Sequence, residues 1–225
     1  SILKNMENKK ILDIIKIGLP ASLSMIVMAV GQGVFNKILV HISVETVAAY
    51  QVAGRLDMLV FLPIFSIAAS LTTLIGMFYG AKEYEALRFT IRYGIFSALI
   101  ITIFSSATVY IFADQVVRFF TEDESIVIIA VNFLQIFAFA YPFIAVGITT
   151  GRVLQGLGKG LPVLVITIVR VLGVSAPLSL FFIFVMDKSV EWVWYSMMLS
   201  TVVAFAIGLT WLFSTVKKLP VKNTV

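Results

Sequence analysis

An all-α, polytopic membrane protein built as a six-transmembrane-helix bundle is the fold that this 225-residue sequence predicts. Three observations predict it. The chain is 60% apolar and 13% charged, with a mean hydropathy of +1.04, whereas a soluble domain has about 45–50% apolar and about 25% charged residues. Its apolar residues fall into six runs separated by charged or glycine-rich breaks, each long enough for the roughly 20 residues that cross a bilayer. Its basic residues crowd into alternate breaks. A soluble fold of this size keeps a large share of its surface in water and cannot hide so much apolar area. A soluble enzyme and a disordered chain are therefore disfavoured. The sequence has no cysteine, which removes a disulfide scaffold and a thiolate metal site.

Residues 1–16 read as a cytoplasmic linker with an amphipathic lead-in over Ile11–Lys16. Ser1–Lys16 has no long apolar core ending in small residues, so it is not a signal peptide. It reads as a linker within a longer protein. The bundle is expected over residues 17–216. Its spans are Ile17–Ile42, Val47–Phe78, Tyr93–Ala113, Ser125–Leu154, Leu161–Met186 and Val193–Val216. Residues 217–225 form a cytoplasmic tail. Several spans exceed the bilayer minimum, which implies tilt or protruding ends.

Lys4, Lys9, Lys10 and Lys16 precede the first span, and Lys82, Arg88 and Arg92 follow the second. Arg152 and Lys159 follow the fourth, and Lys217, Lys218 and Lys222 follow the sixth. These breaks hold 12 of the 17 basic residues. The positive-inside rule places them, and both termini, in the cytoplasm. An even span count independently requires the termini to share a side. The net charge of +5 thus reads as membrane orientation, and nucleic acid is not an expected partner. The expected location is the cell (plasma or inner) membrane, with the lipid bilayer as the surrounding partner.

Prolines sit deep in three spans, at Pro63, Pro142 and Pro177, and Pro20 opens the first. Each interior proline is expected to kink its helix, as suits a transporter that changes shape.

Ionisable residues inside spans mark function by default. Asp57 is the one carboxylate placed inside a span and away from its ends. It is a candidate for cation or proton handling. Alternatively it is internal glue, paired near Arg55 or with Arg170. Arg170 lies near the middle of span five and is the most costly charge in the chain, so intramembrane charge pairing is expected of it. Thr167, Arg170, Val174 and Pro177 are expected along one face. In span one, Met25, Met28, Gln32 and Asn36 recur at helical spacing. Such a stripe is flexible and polarisable at one end and hydrogen-bonding at the other, which suits a cavity for varied amphiphiles; the alternative is interhelical packing. Gln51 sits on the Arg55 face of span two. Asn132 and Gln135 form a similar polar pair in span four, with Tyr141 further on.

Enzyme-like signals fail. Gln155–Gly160 has a Gly-Lys step, but Val153 stands where a phosphate loop needs glycine, and Gly160 replaces its magnesium-binding hydroxyl. It reads as a turn. His41 is the single histidine, so no histidine metal cluster is expected. Gly76 and Gly80 are a weak sign of close helix packing.

Several stretches together resemble the second half of the multidrug and toxic compound extrusion (MATE) family. Ile17-Gly18-Leu19-Pro20-Ala21 resembles the start of that family's seventh helix. Val47-Ala48-Ala49-Tyr50-Gln51, Arg55-Leu56-Asp57 and Phe61-Leu62-Pro63 resemble its eighth, which closes on Thr73–Lys82. Leu154–Lys159 resembles the turn after its tenth. The resemblance covers nearly the whole chain. It implies the C-terminal lobe of a twelve-helix transporter, working with an N-terminal six-helix half. It implies export of small amphiphilic or cationic substrates in exchange for sodium ions or protons, with no cofactor beyond that coupling ion. Asp57 matches the acidic position of the family's eighth helix. Some members bind the coupling cation through carboxylates in the seventh and tenth helices. Those positions fall here near Met28 and Ile144, neither of which can be a charged ligand.

The expected function is thus a secondary antiporter that works by alternating access. The alternative within transport is a lipid-linked oligosaccharide flippase of the same superfamily, which should line its cavity with several cations. A membrane enzyme would need clustered nucleophiles or metal ligands, and a channel a filter segment. The sequence offers neither.

Overall fold

The structure is a computed structural model that describes the backbone of residues 2–220 and the side chains of residues 14–220. The side chains of Lys4, Lys9 and Lys10, and Lys222 in the tail, lie outside the described residues. The elements are α1 (Ile2–Ile42), α2 (Val44–Gly80), α3 (Tyr84–Arg118), α4 (Glu124–Ala138), α5 (Tyr141–Gly156), α6 (Leu161–Ile168), α7 (Ala176–Leu180) and α8 (Glu191–Lys217). The π-helical stretches Val169–Ser175 and Phe181–Val185 join α6 and α7 into one rod, Leu161–Val185. Among the described residues, α1, α2, α3, the rod and α8 are each long and apolar enough to cross a bilayer, and α4 with α5 makes a sixth, broken span.

Local chemistry sets the boundaries. One residue, Ser43, separates α1 from α2, and its hydroxyl accepts the Thr46 N–H at 3.1 Å. Asp123 caps α4 by accepting the Ser125 N–H at 2.9 Å. Each cap satisfies a donor that a helix start leaves open. The α5–α6 turn passes through Gly158 at φ 78, a left-handed conformation natural to glycine. The glycine-rich run is thus a turn.

The prolines behave differently from one another. Span four breaks by 60° between α4 and α5, and Pro142 stands in the first turn of α5. Proline has no N–H to offer the carbonyl four residues back, here that of Ala138. The Ser106 hydroxyl of α3 donates to that carbonyl instead, as lipid-buried backbone requires. Ser106→Ala is therefore expected to destabilise the bundle by about 1–3 kcal/mol, the penalty of an unsatisfied buried acceptor. A thermal melt of the purified protein checks this. Span two does not break, since α2 runs through Pro63 as one helix. At Pro177 the chain widens into π turns: the Ala176 N–H reaches the Val171 carbonyl, five residues back. Of the three expected kinks, the one at Pro142 coincides with a break in its span.

Helix α2 is the centre of the bundle, packing on α3, α4 and α5, while α1 lies against the rod and α8 bridges the rod to α5. Fully buried Ala49, Ala53, Ala68, Ala98, Ala130 and Ala145 let backbones approach closely. One close approach is at the α5–α2 crossing. A Cβ on Gly156 would stand 2.7 Å from the Thr72 carbonyl oxygen and 3.0 Å from the Ile75 Cβ. Gly76 faces Gly156 across the same crossing, while Gly80 has open space around it. The small-residue signal thus holds at one of its two glycines. Gly156→Ala is expected to cost about 1–3 kcal/mol by overpacking, and Gly80→Ala little. Parallel melting curves separate the two.

Candidate functional site

Two adjoining clefts open between the spans. One, of about 370 Å³, is lined by Gln32, Tyr50, Gln51, Gly54, Arg55, Asp57, Met58, Phe133 and Phe137. The other, of about 180 Å³, draws on every span except α3. It holds Met28, Gln32, Tyr50, Ile144, Arg170 and Met197 among its walls. The first falls in the size range of drug-sized sites, and the second is smaller. Gln32, Tyr50 and Phe137 belong to both clefts and form the partition.

Ring contacts and hydrogen bonds hold the partition. The Tyr50 ring stacks on Trp194 at 5.9 Å and meets Phe133 edge-on at 5.7 Å. Trp194 is fully buried. The Tyr50 hydroxyl donates to Gln32 Oε1 at 3.4 Å. Beside it, Gln51 Nε2 donates to Asn36 Oδ1 at 3.2 Å. The expected stripe on α1 is therefore a hydrogen-bonded α1–α2 seam at Gln32 and Asn36. It continues into the Arg170 cleft at Met28, while Met25 is 73% exposed and lines neither cleft.

Asp57 lines the larger cleft, half-buried. The Tyr141 hydroxyl donates to Asp57 Oδ1 at 2.5 Å. Tyr141 is fully buried, with Phe61 edge-on at 5.2 Å. It is the first residue of α5, so the break in span four delivers its hydroxyl to α2. Among the described residues Asp57, Arg55 and Arg170 form no ion pair; the carboxylate–guanidinium pairs are Arg118 with Asp114 and with Glu124. The alternative reading, Asp57 paired near Arg55 or with Arg170, is thus not what the described residues show. Arg55 is exposed at the cleft mouth, and Arg170 stands in the other cleft, beyond Tyr50.

Asn132 and Gln135 line neither cleft; the face of α4 that does carries Phe133 and Phe137. Asn132 Oδ1 is buried without a hydrogen-bond partner among the described residues. The expected face through Thr167, Arg170, Val174 and Pro177 also fails, with Thr167 buried and Pro177 exposed. The π turns from Val169 onward shift the helical register that relates these positions. Sequence reasoning missed the aromatic partition. The available signal was large aromatics scattered over three spans, which periodicity does not distinguish from core.

A six-span bundle whose clefts combine apolar walls with a few polar and charged groups is the architecture of a transporter lobe. The MatE family profile matches residues 20–181, and the chain belongs to that family. A probable multidrug resistance protein NorM of Thermotoga maritima is 27% identical over 176 residues, covering 78% of this chain and 37% of the relative. A MOP superfamily transporter of Pyrococcus furiosus superposes with a TM-score of 0.86 at 28% identity, covering 93% of this chain and 48% of that one. An outward-facing multidrug resistance MATE transporter gives a TM-score of 0.85 at 28% identity, covering 96% and 48%. The chain thus spans about half the length of those structures and less than half of that curated relative. The family is one of transporters. Met28 and Ile144, where the resemblance places coupling carboxylates of some members, both line the Arg170 cleft.

Proposed function

We propose that this chain is the C-terminal six-helix lobe of a drug and organic-cation antiporter, exporting amphiphilic compounds across the cell membrane in exchange for sodium ions or protons. Both termini lie in the cytoplasm, and an N-terminal six-helix half completes the central cavity. The carrying observation is Asp57. It is a carboxyl group within a span, without an ion-pair partner among the described residues, lining an aromatic-walled cleft and held by one hydroxyl.

That arrangement suits exchange. A carboxylate there attracts a cationic head, while Tyr50, Phe133 and Phe137 offer ring faces to the cation and to an apolar body. A proton or sodium ion taken up by Asp57 removes that attraction and releases the substrate. Tyr141 orients the carboxyl, and its place at the span-four break ties Asp57 to a joint at which the bundle can flex. Rocking of the two halves then exposes the cavity to each side in turn.

The test is transport of ethidium by the intact protein in proteoliposomes under an imposed proton or sodium gradient. Gradient-driven movement that Asp57→Asn abolishes supports the reading. Transport indifferent to both gradients, or unchanged in that variant, refutes it.

A further inference from the structure

We infer that the Arg170 cleft is an anion subsite, built to take the acidic head of an amphiphile whose apolar body lies along Met28, Phe35 and Met197. The inference concerns a different cleft from the one that carries the cation-export reading.

Arg170 stands in the π-helical stretch Val169–Ser175 of the rod, and such widened turns recur at functional sites. Its guanidinium carries five donors. Among the described residues it makes no hydrogen bond or ion pair, and no carboxylate lines its cleft. A guanidinium at mid-span depth must face water, protein or ligand. The cleft adds a second donor. Gln32 Oε1 is occupied by the Tyr50 hydroxyl, which leaves the Gln32 amide N–H groups available to an incoming acceptor. Nearby, Ser200 and Thr201 donate their hydroxyl protons to the Met197 carbonyl, at 2.7 and 3.0 Å, so the donors left to an anion are Arg170 and the Gln32 amide. The remaining walls are apolar and adaptable, with Met28, Phe35, Phe137, Ile144 and Met197. A cationic ligand is repelled here and attracted beyond Tyr50, so charge sorts ligand groups between the two clefts.

The test uses the intact protein in phosphatidylcholine nanodiscs, titrated by fluorescence anisotropy with three probes of one shape. These are pyrenebutyrate, its methyl ester, and pyrenebutyl-trimethylammonium. Pyrenebutyrate is expected to bind about tenfold or more tighter than the ester, the range of one charge-assisted contact. Arg170→Gln is expected to erase that preference while the ammonium probe still binds, which shows that the variant is folded. Met28→Glu puts a carboxylate into the same cleft from α1 and is expected to erase the preference independently. Equal binding of butyrate and ester to the unaltered protein overturns the proposal, because it means that a carboxylate elsewhere in the protein neutralises Arg170. A preference that survives both variants overturns it as well. Neither outcome touches the Asp57 reading, which rests on gradient-driven transport.

Discussion

Asp57→Asn in the intact protein is expected to reduce gradient-driven export by roughly 10–100-fold, the rate equivalent of losing a charge-assisted contact of about 1.5–3 kcal/mol. Asparagine keeps the shape and still accepts the Tyr141 hydroxyl, so the bundle should fold and the loss should be of exchange. Tyr141→Phe makes the complementary change. It keeps the buried ring against Phe61 and removes only the donor to Asp57. Its expected effect is smaller, because the carboxyl group remains but loses its fixed orientation. Measured side by side in proteoliposomes, the two variants rank the carboxyl above its positioning hydroxyl. The reverse ranking would assign Asp57 to structure.

Trp194→Ala is expected to be the most damaging single truncation for stability, by about 3–5 kcal/mol. In a membrane the loss is one of packing more than of transfer from water, since lipid is as apolar as the core. Trp194 is fully buried, stacked on Tyr50 and edge-on to Phe133 at 4.8 Å. Removing it undermines the partition between the clefts from behind. Trp194→Phe should recover most of the stability. The indole N–H has no partner among the described residues, so its loss leaves no bond broken. Thermal unfolding of the purified protein, with both variants in parallel, measures the difference.

Six spans were legible because hydropathy sums over 20 or more residues, and local irregularity hardly moves the sum. The irregularities themselves were not legible. Three interior prolines carried the same local signal, yet only Pro142 coincides with a break. The outcome depends on whether a neighbour such as Ser106 can satisfy the freed carbonyl, and on whether the turn can widen as it does before Pro177. At the candidate site Asp57 was legible as an interior carboxylate, and Gln32 and Asn36 as a polar stripe, but not the bond that joins Asn36 to Gln51. Its partner was not, because Tyr141 lies 84 residues away and meets α2 only through the span-four break. Arg170 was legible as a charge but not in its surroundings. Helical spacing stops predicting a face where π turns begin, one residue before it.

The claim that the clefts beside α1 are the path of the substrate is tested most directly at Gln32, which both clefts share. This chain contains no cysteine, so Gln32→Cys introduces its only thiol. Labelling of that thiol with a membrane-impermeant maleimide, in the intact protein with any other cysteine removed, reads its access to water. Labelling that saturating ethidium suppresses is the expected result. Labelling that ethidium leaves unchanged would contradict it.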